Sequence, residues 1–105
     1  MARDPWAYRE VAVESVAIGG EGAGARLRIR PVAGQAYATS MRVQCSRALA
    51  DPARYPAGTR FLIRAKLTDR NGGAPFLYAW HGDPIKVLSP REARSFLDEY
   101  RRRRI

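Results

Sequence analysis

Cys45 and His81 are the only cysteine and the only histidine in the chain, so they alone could supply a thiol nucleophile with an imidazole base. That chemistry requires the two side chains within hydrogen-bond reach. Cys45 shares its alternation phase with Met41 and Val43, which predicts a core thiol, and His81 precedes Gly82-Asp83-Pro84, which predicts a turn residue. One residue of each type also excludes an intramolecular disulfide, a cysteine-rich zinc cluster and a two-histidine metal site built from this chain alone. Asp51, Asp69 and Asp83 lie among Pro, Gly and Asn in expected turns, where carboxylates bond to backbone amides rather than hold metal or move protons. Gly20-Glu-Gly22-Ala-Gly24 has neither the G-x-G-x-x-G spacing of a dinucleotide site nor the terminal G-K-[ST] of a phosphate loop, and reads as a hairpin connection. No catalytic set, metal or cofactor is expected.

The arginines carry a stronger pattern. Arg26, Arg28 and Arg30 alternate with Leu27 and Ile29, so a strand here puts all three guanidinium groups on one face at intervals of about 6.6 to 6.8 Å, close to a nucleic-acid phosphate repeat. If that strand lies beside the next, Arg42 and Gln44 join the same face, and Arg64 extends the basic set. The net charge is +9, and between Gly22 and Arg64 the only acid is Asp51. Such a surface attracts nucleic acid or other polyanions over a Debye length of about 10 Å. Composition offers a second cause for the same residues: Ala, Arg, Gly and Pro make up 50 of 105 positions, the bias expected of codons rich in G and C. A further stripe, Phe76, Tyr78 and Trp80, backs onto Leu77 and Ala79, so both faces of one strand are apolar. The C-terminal helix, with Phe96 and Tyr100, is expected to cover one of them; uncovered, these residues form an interaction patch.

These side chains need elements to hold them. Tyr8 to Ile18 is rich in β-branched residues, but Val11 and Val13 fall on the odd phase while Val16 and Ile18 fall on the even one, which predicts a bulge at Glu14-Ser15. Ala25 to Val32 is the second strand, and strict alternation from Tyr37 to Cys45 predicts a third. Arg47 to Gly58 suits a short helical turn and a loop. Arg60 to Thr68 alternates again, Asp69 to Gly73 supplies a hairpin turn leading to a strand from Pro75 to Trp80, and Ile85 to Leu88 makes a short last strand. Ser89-Pro90-Arg91-Glu92 is a capping-box helix start, followed by Ala93, Phe96, Leu97 and Tyr100 at i, i+3, i+4 and i+7. Arg101 to Arg104 then suit the negative end of the helix dipole.

The order of three strands, a short helical segment and two strands resembles the OB barrel over about residues 6 to 80; an SH3-like barrel reads almost the same. The expected fold is therefore mainly β: one domain over residues 1–105, with a small antiparallel barrel of five to six strands at 6–88 and an amphipathic helix with its arginine tail at 89–104. No apolar run approaches the roughly 18 residues of a membrane span, and the lone thiol suits a reducing compartment, so a cytoplasmic protein without membrane contact is expected. The expected function is non-enzymatic binding of single-stranded nucleic acid or another polyanion through the arginine-lined strand face. The alternative is protein interaction or assembly, as a homodimer, through the Phe76–Trp80 strand and the C-terminal helix.

Overall fold

The computed structural model describes residues 7–18 and 26–103. The glycine-rich connection at 19–24 and Arg104 of the tail lie outside the described residues. Six strands appear in chain order: β1 (Arg9–Ile18), β2 (Arg26–Pro31), β3 (Val43–Gln44), β4 (Arg60–Thr68), β5 (Phe76–Tyr78) and β6 (Lys86–Leu88). A 3₁₀ turn at Arg47–Ala50 separates β3 from β4, and α1 (Pro90–Arg103) ends the chain. The sheet runs β2-β1-β4-β5-β3, with β6 added to β4, and curls so that β3 comes round to face β2. The result is a nearly closed, barrel-like sheet with one open seam, the strand path of an OB-like barrel.

β1 is the hub, bonded to β2 along one edge and to β4 along the other. Its register against β2 is continuous from Val13↔Pro31 to Ile18↔Arg26, so on that edge β1 has no bulge at Glu14-Ser15. The inward phase simply continues through Ser15, which is fully buried. Its hydroxyl donates to the Pro56 carbonyl at 3.4 Å, and its backbone exchanges bonds with Thr59 and Gly58, so the loop before β4 satisfies every polar group of that residue. Val16 and Ile18 face outward instead, with Ile18 41% exposed.

The expected strand from Tyr37 to Cys45 shrinks to Val43–Gln44. Ahead of it Gly34 takes a positive φ of 105°, and the Gln35 side chain occupies the position a strand partner would fill. Its Oε1 accepts from the Ala12 amide at 2.9 Å, and its Nε2 donates to the carbonyls of Ala12 and Val32 at 2.8 and 2.9 Å. A side chain thus ends the β2 ladder and releases residues 36–42 into turns. The second departure is the β3–β5 pair, which is parallel rather than antiparallel: β4 turns back through the Asn71-Gly72 hairpin, so β5 runs in the direction of β3.

Two apolar clusters result. Val11, Val13, Phe61, Ile63, Leu77 and Leu49 fill the barrel. On the outside of β1, β4 and β6, Ala12, Val32 and Leu88 meet Ala93 of α1, with Leu62, Phe96 and Leu97 packed around them. The helix stripe is therefore used on its own barrel. The helix starts as its sequence requires: Glu92 N donates to Ser89 Oγ at 3.1 Å and Ser89 N to Glu92 Oε1 at 2.9 Å.

Candidate functional site

Alternation along β2 places Leu27 and Ile29 toward the core and Arg26, Arg28 and Arg30 on the outer face. The three arginines meet different neighbours there. Arg30 lies directly opposite Glu14 of β1 and pairs with it at 2.9 Å, and the same carboxylate takes Arg60 of β4 at 3.6 Å. This row of two cations and one anion ties three strands together, so Arg30 is already engaged in an ion pair. Arg28 instead reaches across the seam, where its Nη2 donates to the Ser40 carbonyl at 3.0 Å. Arg26 is exposed at the start of the strand.

Across the seam, Val43 of β3 packs against the core while Arg42 and Gln44 are exposed. The Arg42 guanidinium sits 4.7 Å from the Phe76 ring centroid and that of Arg70 sits 5.7 Å away, with Arg70 Nη2 also donating to Gln44 Oε1 at 3.3 Å. Phe76 is only 5% exposed, and these two cations lie over its ring. Tyr78, next along β5, is half-buried and opposite Lys66. Trp80 leaves the strand and lies against Gly82, where an added Cβ would strike its ring, and tilts on His81 at 5.5 Å. Phe96 and Tyr100 belong to the helix contact, the Tyr100 hydroxyl accepting from the Ala36 amide at 3.0 Å. The aromatic residues expected to form one interaction patch are thus distributed over three places.

Between β2 and β3 the seam opens as a groove of about 650 Å³. Arg28, Arg42, Gln44 and Arg47 supply its polar groups, and Leu27, Ile29, Val43 and Ala50 its apolar surface; no acid is among its described lining. Of the arginine-face residues expected from the sequence, Arg28, Arg42 and Gln44 border this groove and Arg26 and Arg30 do not. Arg47 joins them from the 3₁₀ turn, which Ser46 caps by accepting from Ala48 N at 3.3 Å. Its signal in the sequence was its place immediately after the cap, on the turn that must follow β3. Arg64 lies elsewhere, bordering a cleft between barrel and helix. The groove thus combines guanidinium groups, an apolar surface and, in Gln44, a side-chain donor and acceptor.

Cys45, His81 and Asp83 border one small cavity, but burial alone pushes the Cys45 thiol up to about 11, so it is neutral near pH 7. Among the described residues no cluster of His, Cys, Asp and Glu could hold a metal ion, and no helix is long and apolar enough to cross a membrane. Compared with known protein families, with curated proteins and with solved structures, the chain matches none.

Proposed function

We propose that this protein is a non-enzymatic nucleic-acid-binding module that holds a single strand along the β2–β3 seam. The observation that carries the reading is the groove itself, which Arg28, Arg42 and Arg47 line together with an apolar surface. Three arginines from separate parts of the chain line it with no acid among its described lining, in contrast with Arg30, which is ion-paired with Glu14. Six residues of β2 span about 20 Å, enough for a few nucleotides, within the site sizes of small barrels of this architecture. Arg28 and Arg42 are the phosphate contacts, Arg47 extends the track beyond the end of β3, and Gln44 bonds a base edge or sugar. The net charge of +9 adds long-range attraction to this local fit.

The test is anisotropy titration of a labelled oligonucleotide of about 12 nucleotides across a range of salt, since log K falls by about 0.7 per log salt for each phosphate neutralised on a single strand. Changing Arg28, Arg42 and Arg47 together to Ala flattens that slope by about 2. Changing Arg30 to Ala leaves it nearly unaltered. Equal losses from the two variants, or heparin competing no differently from the oligonucleotide, would reduce the interaction to generic charge and end this reading.

A further inference from the structure

The seam has no aromatic side chain in its described lining, but a second cavity, where the barrel meets the C-terminal half of α1, is rich in them. It has a volume of about 700 Å³, within the range of small-molecule sites, and Tyr8, Tyr37, Phe96 and Tyr100 form its walls. Two of these rings are held in place. Tyr100 is fixed by the bond its hydroxyl accepts from the Ala36 amide, and the ring of Tyr8 has the Lys66 ammonium 5.7 Å from its centroid. Rings restrained in this way lose little freedom when a ligand arrives.

The polar groups of the cleft divide into those already engaged and those that are not. Glu99 is taken by Arg102 at 3.2 Å and by Arg103 at 4.0 Å. Arg64 makes no ion pair among the described residues, although Glu10 faces it directly across β1 and β4. These two side chains stand side by side and present five N–H donors and a carboxylate acceptor to the same space. The Tyr37 hydroxyl, half-buried, makes no hydrogen bond among the described residues. Burial, then the neighbouring Tyr100, raise its pKa above the ordinary phenol value, which keeps it a neutral donor and acceptor.

Aromatic walls select a flat ring. An arginine beside a glutamate selects a ring whose edge carries acceptors and donors together, as the base edges of nucleic acids do. We propose that this cleft is a nucleobase site and that it takes nucleotides. Arg64 donates to ring or carbonyl acceptors, Glu10 accepts from ring or exocyclic N–H groups, and Tyr37 bonds the sugar or phosphate while the tyrosine rings flank the base. The site is separate from the seam and does not depend on the seam reading, although on one strand the two together would supply charge from one and aromatic contact from the other.

The probe is guanosine 5′-monophosphate, titrated into the isotopically labelled protein and followed by amide shifts, with ribose 5-phosphate as the ligand that lacks a base. Saturable shifts at Tyr37, Arg64 and Tyr100 are expected, with ribose 5-phosphate at least about tenfold weaker. Arg64→Ala and Tyr37→Phe each weaken binding, about five- to tenfold for the charged donor and two- to fivefold for the hydroxyl. Glu10→Gln weakens the nucleotide while leaving ribose 5-phosphate unchanged or tighter. Arg28→Ala with Arg42→Ala leaves all of this intact, which separates the cleft from the seam. Arg64 and Tyr37→Phe lie on exposed or half-buried positions, and unchanged spectral dispersion verifies the fold of each variant. Nucleotide and ribose 5-phosphate binding equally, or affinity unaltered by both Arg64→Ala and Tyr37→Phe, overturns the proposal.

Discussion

Replacing Gln35 with Ala tests the device that ends the β2 ladder. The amide makes three bonds of 2.8 to 2.9 Å to the backbone of Ala12 and Val32, whose exposures are 0% and 5%. Ala12 O keeps its bond from Val32 N at 3.0 Å, so its loss is tolerable. The Ala12 amide and the Val32 carbonyl, by contrast, lose their Gln35 partner, and each buried polar group left unmet costs about 1 to 3 kcal/mol. Water entering where the side chain stood offsets part of the carbonyl's loss, which leaves a destabilisation of about 2 to 4 kcal/mol. For a domain of this size that is a fall in Tm of order 10 to 20 °C. Urea titration followed by circular dichroism measures it, and faster hydrogen exchange at the Ala12 amide locates it. Gln35→Glu sharpens the test, because it keeps the acceptor for Ala12 N–H but turns a carboxylate oxygen toward two carbonyls. That carboxyl has its folded pKa raised, so the variant's deficit relative to wild type is small at acid pH, where a protonated Glu donates, and grows as pH rises through the carboxylate range. A Gln35→Ala protein within about 0.5 kcal/mol of wild type, with Ala12 exchange unchanged, refutes the account.

Three further outcomes follow from the same structure. The Ser89 backbone amide, then Lys86 at 3.0 Å, holds the Glu92 carboxyl down at about 2, so the helix cap is intact above the ordinary carboxylate pKa of 4.5 and is lost as pH falls toward 2; helicity measured by circular dichroism declines across that window in wild type and not in Glu92→Gln. The Cys45 thiol, raised from 9.0 to about 11, reacts with a disulfide reagent at pH 8 far more slowly in the folded protein than in urea, and its contribution to stability is complete below 9 and lost as pH rises toward 11. Truncation after Ser89 uncovers Ala12, Val32 and Leu88, and with Phe96 and Leu97 only half-buried the loss is about 3 kcal/mol, read as a lower urea midpoint and increased binding of a hydrophobic dye; an unchanged midpoint contradicts the docking of α1.

Legibility differed between the two proposed sites and the fold that carries them. In the seam, the outward direction of Arg28, Arg42 and Gln44 is legible from alternation alone, because side-chain direction along a strand is a local property with a period of two. Arg30 shares the pattern yet is paired with Glu14, which stands 16 positions away and meets it only through the β1–β2 register. Arg64 was counted with the arginines of the seam, but the cleft it borders exists only where Tyr37 and α1 come together.

What the sequence determined by itself is what a few consecutive residues decide among themselves. The Ser89–Glu92 capping box closes within one helical turn, and Asn71 and Gly72 adopt φ of 54° and 77° because asparagine tolerates that region, glycine has no Cβ to forbid it, and the hairpin needs it. The alternation of Phe61, Ile63 and Ala65 already marks the inner face of β4. Tertiary structure decided the rest. Residues 37–41 alternate as well as any strand in the chain, yet they form turns, because alternation states which face a residue would present and not whether a partner edge is there to meet its backbone. Gln35 has capped the β2 ladder by reaching Ala12, 23 positions earlier, and β5, not an antiparallel neighbour, offers its edge to Val43–Gln44. Partner choice is a competition among backbone edges distant in sequence, and hydrogen bonds across such distances leave no local period in the chain from which to read them.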